Sequence, residues 1–345
     1  MDKIPPDFRR LEKVLLRTGE PDFLPLCEVF VDSEIIRAVT GKSDSPGARV
    51  EFYSGLGFDY VYAAANFTYQ MYTTRTEDTA TLSKGQREFV DSHRGVIETR
   101  EDFNKYDWPE IDPSVSVHIQ ETEKILPQGM KILVDLAPGG ILECILWLMG
   151  YVHFSYALYE DEQLVADMFE KIGTNIVRLA EQCFENSDVK KIGAFILGDD
   201  MGFSHGTMIS PQLLRKYLFP WQRKLSDVIH DHGIPMILHS CGKLDAVMDD
   251  LIHFVKIDAK HSFEDKIMPV TEAKKRYGDR IAILGGVDVD FLCRSKEEQI
   301  RAYVDKIIDI CAPGGGYALG TGNSFANYIP IENYLIMIDE CRKRL

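Results

Sequence analysis

A histidine and a cysteine stand two residues apart in His239-Ser240-Cys241-Gly242, which closes the apolar run 234–238. If that run is a strand, side chains at i and i+2 point to the same side, so both can reach one ion. Imidazole nitrogen and thiolate sulfur form the ligand pair that a borderline-soft ion such as zinc prefers, and a strand end leaves a coordination position open to substrate. The pair therefore suggests a catalytic metal. The plain alternative is a buried histidine beside an inert cysteine.

Further ligands or bases must come from neighbouring chain, and the polar residues that end other apolar runs are Glu28, Asn66, Asp135, Asp199, Asp200, Asp258, His261, Asp288 and Asn323. Alternation along 24–28 puts Glu28 on the face of Leu26 and Cys27 on the other, which makes Glu28 the preferred third metal ligand or base. A carboxylate that caps a neighbouring helix is the competing reading. Asp199 and Asp200 must point to opposite sides of a continuing strand, so one enters the site and the other holds the loop 201–207. Glu28, Asp199, Asp200 and Asn323 are the candidates for catalysis, and His239, Cys241 and Glu28 for the metal. A cluster this polar needs an ion or a polar substrate to offset the desolvation of its charges. Gly285-Gly286 and Gly314-Gly315-Gly316 match neither phosphate-loop nor dinucleotide spacing, and read as places of close backbone approach.

The elements that would hold these residues alternate. Short apolar runs bounded by turn residues lie at 23–29, 59–63, 131–136, 193–198, 234–241, 254–259, 280–287 and 316–320. Amphipathic segments separate them. One starts at Ser210-Pro211, a serine N-cap followed by proline, and ends at Gly233; others cover 297–311 and 331 to the C-terminus. Eight such repeats over this length predict a single (β/α)8 barrel spanning 1–345, with reacting groups at the C-terminal strand ends. The stretch 64–128 is too long for one strand-to-helix connection and reads as an insertion after the second strand, a lid or partner surface.

Among the 345 residues, 39 basic side chains against 54 acidic ones give a net charge of -15, which argues against nucleic acid or an anionic membrane as partner. Seven cysteines scattered singly read as reduced thiols of a cytoplasmic protein. The N-terminal stretch is charged throughout, without the apolar core of a signal peptide. The longest apolar stretch, 141–159, carries Glu143, His153 and a break at Gly150, and predicts a packed helix and no membrane span.

Five stretches together resemble the uroporphyrinogen decarboxylase superfamily, which also holds zinc-dependent methyltransferases that act with corrinoid proteins: Ser210-Pro-Gln-Leu-Leu-Arg-Lys-Tyr217, His239-Ser-Cys-Gly242, Leu284-Gly-Gly-Val-Asp288, Ala312-Pro-Gly-Gly-Gly-Tyr317 and Pro330-Ile-Glu-Asn333. The resemblance implies a barrel and two possible activities. Against decarboxylation, the acidic 28–34 segment replaces the arginines that grip substrate carboxylates in true decarboxylases, and their histidine near the last strand falls at Asn323. The methyltransferase branch has the His-x-Cys pair, here His239 and Cys241, and a third cysteine whose place falls at Gly315. Glu28 or an aspartate is the preferred replacement, with Cys293 a further option. Loss of one thiolate suits a zinc that acts as a Lewis acid on an ether or alcohol oxygen. The resemblance thus implies methyl transfer between a small methylated substrate, such as a methoxylated aromatic for an O-demethylase, and a corrinoid. No corrinoid-binding motif occurs here, so the corrinoid must come on a partner protein. A non-catalytic ligand-binding barrel is the third reading.

Overall fold

The computed structural model describes residues 5–83, 85–91, 93–136 and 138–343. Apolar runs without polar alternation form strands covered on both faces, the pattern of a parallel sheet wrapped by helices. In chain order the strands are β1 (Tyr60–Ala64), β2 (Thr73–Glu77), β3 (Gln86–Val90), β4 (Lys131–Asp135), β5 (Ile192–Gly198), β6 (Gly202–Phe203), β7 (Gly206–Thr207), β8 (Met236–His239), β9 (Ala259–His261), β10 (Ala282–Leu284) and β11 (Tyr317–Ala318). Seven of them form one parallel sheet in the order β1-β4-β5-β8-β9-β10-β11. Every residue of β5 is buried.

The barrel position expected at 23–29 holds a single parallel bridge, Leu26 to Leu319, with Cys27 N–H donating to Leu319 O at 2.7 Å and Leu319 N–H to Pro25 O at 3.0 Å. Pro25 has no N–H to extend a ladder. On its other side this segment meets β1 through a side chain. The Tyr60 hydroxyl donates to Glu28 O and accepts from Glu28 N–H, each at 2.6 Å. Together these contacts complete the (β/α)8 barrel.

The strand expected at 254–259 begins five residues later. Leu251–Val255 continues a helix as a π turn, and Lys256 takes a left-handed conformation before β9 starts at Ala259. Asp258 therefore lies before its strand, at the bottom of the barrel, where it accepts from Met236 N–H and from His230, both at 2.7 Å. It is not a mouth residue. The helix expected from Ser210 is capped by that serine and broken by a π turn, Leu214–Leu218, ahead of Phe219–Asp231. The 141–159 stretch folds as two helices, Ile141–Met149 and Tyr151–Glu160, bent by 96° at Gly150. Among the described residues no single helix is long and apolar enough to cross a membrane.

Within 64–128, the helix Val117–Ile125 packs on β1 and β4 and so forms part of the barrel wall. The excursion proper carries the antiparallel hairpin β2–β3, joined in register from Thr73 opposite Val90 to Glu77 opposite Gln86. Arg87 of this hairpin pairs with Asp32 at 3.1 Å and donates to Asn327 at 3.2 Å, and Asn327 in turn donates to Asp78 at 2.8 Å. The hairpin is thereby latched to the loops at both ends of the chain's barrel circuit. A groove of about 680 Å³ separates it from Asn323, Tyr328 and Asp288. The aromatic residues of the insertion mostly pack on one another: Trp108 contacts Tyr69, Phe103 and Tyr106 edge-on, and Phe67 contacts Tyr69.

Candidate metal centre and the cavity beside it

His239 is the last residue of β8, and Cys241 follows on the same side. Their Nε2 and Sγ atoms are 3.5 Å apart. Asp200, two residues past the end of β5, brings Oδ1 to 4.0 Å from His239 Nε2 and accepts the Cys241 backbone N–H at 2.7 Å. The ligand atoms of these three residues lie within 4.8 Å of one another. Tetrahedral zinc, with bonds of about 2.0–2.3 Å, requires ligand atoms about 3.5 Å apart. The His239–Cys241 pair meets that spacing, and Asp200 Oδ1, 4.0 Å from His239 Nε2, would have to move closer. A metal held by one imidazole, one thiolate and one carboxylate would keep a fourth position open.

The loop that carries Cys241 is held from several directions. Gly242 adopts φ +81°, and a Cβ there would stand 2.2 Å from the Gly202 backbone, so only glycine lets the two loops meet. Below it, buried Lys260 donates to the carbonyls of Ser240, His261 and Ser262 at 3.1, 3.2 and 2.7 Å, and burial lowers its pKa to about 8. Cys241 Sγ receives Ser262 Oγ–H and Asn323 Nδ2–H, each at 3.3 Å. Burial, with the negative Asp200 nearby, pushes its thiol pKa up to about 12. A cation has to displace the thiol proton before Cys241 can serve as a ligand. Burial and the neighbouring His261 and Lys260 hold His239 well below its usual pKa, so it is neutral and has a lone pair to offer.

Beside this group lies a cavity of about 220 Å³, walled by Phe30, Trp147, Asp135 and Glu143, with Asp200 and His239 on one side. Phe30 meets His239 edge-on at 4.9 Å. Tyr62 donates to Asp135, whose pKa burial raises to about 6. Burial and the charges of Asp200 and Asp199 push Glu143 well above the usual carboxylate range.

Other expected site residues fall elsewhere. Asp199 turns away from the group: its carboxylate accepts from Leu142 N–H at 2.9 Å, Glu143 N–H at 3.2 Å and Gln222 Nε2 at 2.9 Å, capping the helix Ile141–Met149. It holds this helix, where 201–207 was the expected partner. Gly140 permits the approach, since a Cβ on it would stand 2.1 Å from Asp199 Cβ. Glu28 is not brought to the metal group. Its carboxyl is fully buried between Thr321 (Oγ1 2.6 Å, N 3.2 Å) and the Tyr334 hydroxyl (3.1 Å). Gly315 lies at the far end of the last strand, where a Cβ would meet Gly19 O at 2.4 Å, so the side chain that faces Cys241 from the last strand's end is Asn323. Cys293 stands on the rim near Tyr328 O. Asp288 caps the helix Val289–Arg294, and Asn66 is exposed. Lys260, Phe30, Trp147 and Glu143 were not singled out as site residues; a lone lysine inside a buried strand was the available signal for the first.

A parallel barrel whose polar side chains converge at the C-terminal strand ends is the architecture of barrel enzymes. Within that class the chain belongs to the uroporphyrinogen decarboxylase (URO-D) family, whose model matches residues 93–344. It is 22% identical over 191 residues to a uroporphyrinogen decarboxylase of Anaeromyxobacter dehalogenans, covering 55% of this chain and 51% of that protein. It is 27% identical over 179 residues to the methylcobamide:CoM methyltransferase MtaA of Methanosarcina barkeri, covering 50% and 48%. The chain thus spans about half the length of these curated relatives in the matched regions. A solved methyltransferase from Methanosarcina mazei superposes with a TM-score of 0.71 at 15% identity, covering 97% of this chain and 98% of that one, and shares its fold.

Proposed function

We propose that the chain is a zinc-dependent methyltransferase that moves a methyl group between a small methylated compound and a corrinoid carried by a separate protein, in the manner of an O-demethylase component. The observation that carries this reading is the convergence of Asp200, His239 and Cys241 beside a cavity sized for a small molecule. Similarity to MtaA, a methylcobamide methyltransferase, supports it.

His239, Cys241 and Asp200 would hold the zinc, which when bound supplies a Lewis acid to an ether or alcohol oxygen. Phe30 and Trp147 offer faces and edges for a methoxylated ring, whereas the insertion's aromatics are occupied with one another. When the methyl carbon passes to cob(I)amide, the bonding pair stays on the substrate oxygen, and a proton must reach that oxygen. Glu143 is the group to hold it, because burial and two neighbouring carboxylates keep its carboxyl protonated. The hairpin β2–β3 serves as a lid that has to admit the corrinoid protein over the mouth. No lysine or arginine lines the cavity among the described residues, which leaves a tetrapyrrole polycarboxylate without a counter-charge there.

The test incubates the protein with reduced cobalamin and a panel of methoxylated aromatics and methylamines, following the spectral change from cob(I)alamin to methylcobalamin. A uroporphyrinogen assay runs in parallel. Methylcobalamin formed from one donor class is the expected result; coproporphyrinogen formed with no methylcobalamin from any donor overturns the proposal in favour of decarboxylation.

A further inference from the structure

His261, at the end of β9, is fully buried beside His239, with the two Nδ1 atoms 2.7 Å apart. Its other ring nitrogen, Nε2, lies 3.2 Å from Thr321 O. A carbonyl oxygen only accepts, so Nε2 of His261 carries a hydrogen. Two ring nitrogens 2.7 Å apart share one hydrogen, and with the Nε2–H of His261 already directed at a carbonyl and no carboxylate against its buried ring among the described residues, Nδ1 of His261 is the accepting side. The hydrogen between the two Nδ1 atoms must then belong to His239. That leaves His239 Nε2 unprotonated, on the side of the ring that faces Cys241 Sγ at 3.5 Å and Asp200 Oδ1 at 4.0 Å.

We propose that His261 is a positioning residue that sets the tautomer and ring orientation of His239, so that the nitrogen lone pair of His239 is presented to the metal. The more usual partner of a metal-binding histidine is a carboxylate, carbonyl or water that accepts its second N–H. Here a neutral imidazole does so, and it is fixed in turn by the end of the last strand. Thr321 is the hub of that anchor. Its hydroxyl donates to Glu28 Oε1 at 2.6 Å and stands 3.0 Å from Asn323 O. The chain of contacts runs from Glu28 through Thr321 and His261 to His239. Glu28 thus reaches His239 through two intermediaries, and its burial against Tyr334 gives the anchor a rigid base.

The inference rests on the metal reading above, and its test separates the two. Metal-free protein with ring-15N histidine reads the His239 tautomer directly by NMR. Nδ1–H is expected, and an Nε2–H tautomer would overturn the proposal. His261→Phe keeps a ring but removes the acceptor; zinc affinity, measured by competition with a chromophoric chelator, should fall about 10- to 100-fold, and the cobalt-substituted visible spectrum should change. His261→Asn puts an amide oxygen near the place of Nδ1 and should recover most of the loss. Wild-type affinity in His261→Phe sinks the idea. Should that variant fail to fold, the wild-type tautomer and the His261→Asn affinity still decide. Absence of zinc binding in the wild type would refute the metal reading alone, because the tautomer remains measurable.

Discussion

Glu28 is a fully buried acid, and its proton sets a pH dependence. Burial raises its pKa from the usual 4.5 to about 8. Between these values the folded state binds more protons than the unfolded one, so stability falls as pH rises through the window, by about 1.4 kcal/mol per unit. Below 4.5 the penalty vanishes. Glutamine is neutral like the protonated acid, with Nε2 donating to Thr321 Oγ1 and Oε1 accepting from Tyr334 and Thr321 N. Glu28→Gln should therefore fold, keep its zinc and lose less melting temperature than wild type between pH 6 and 8. A steeper loss in the variant would contradict the protonated assignment. At the metal group, His239→Ala and Cys241→Ser should each abolish stoichiometric zinc in elemental analysis, and retention of one zinc per chain by His239→Ala would refute the assignment. Glu143→Gln should keep zinc yet slow demethylation by about 10²- to 10⁴-fold, the range for loss of a general acid. An unchanged rate would mean that the proton comes from elsewhere.

At the scale of elements, Arg87→Ala should release the hairpin β2–β3 from Asp32 and Asn327. Limited proteolysis is expected to nick the variant within 73–90 faster than wild type, while the melting temperature stays within a few degrees, since a half-exposed ion pair contributes about 0–1 kcal/mol. Equal cleavage rates would show that the latch does not hold the hairpin. Barrel strands and their order were legible because parallel strands buried on both faces leave uninterrupted apolar runs, as in 193–198. So was the nearness of His239 and Cys241, although the strand stops at His239 and Asp200 holds the Cys241 backbone in place. Other positions depended on information that periodicity lacks. The apolar run at Phe254-Val255 is a helix end and not a strand, because a π turn shifts the register that alternation would read. Alternation also separates Asp199 from Asp200 but cannot tell which faces inward. The helix start at Gly140 decides that, by drawing Asp199 outward. Glu28 is fully buried, and Thr321 and Tyr334 claim it from about 300 residues away in sequence. No local pattern announces such a contact.

For the molecule as a whole, a net charge of -15 sets the terms on which a second protein can approach. A corrinoid carrier that docks over an acidic mouth should present a basic face, and its association rate should fall steeply between low and physiological ionic strength. Stopped-flow mixing across a salt series checks this; a rate indifferent to salt would point to an apolar contact instead. The two adjacent aspartates set a different limit, on how this barrel can change over generations. Asp199 carries the helix that bears Glu143 and Trp147, and Asp200 faces the metal group, so one peptide bond ties that wall to the reacting centre. Widening the cavity on that side would move the candidate metal ligand Asp200 with it. On the opposite side Phe30 stands on an irregular segment held to β1 by a tyrosine hydroxyl and to the stretch after the last strand by Phe325 N–H donating to Phe30 O at 2.8 Å, so only its side chain is free to change without moving the backbone. Substrate range should therefore drift across relatives through the side chain at position 30, leaving the Glu143 wall as the inherited constant.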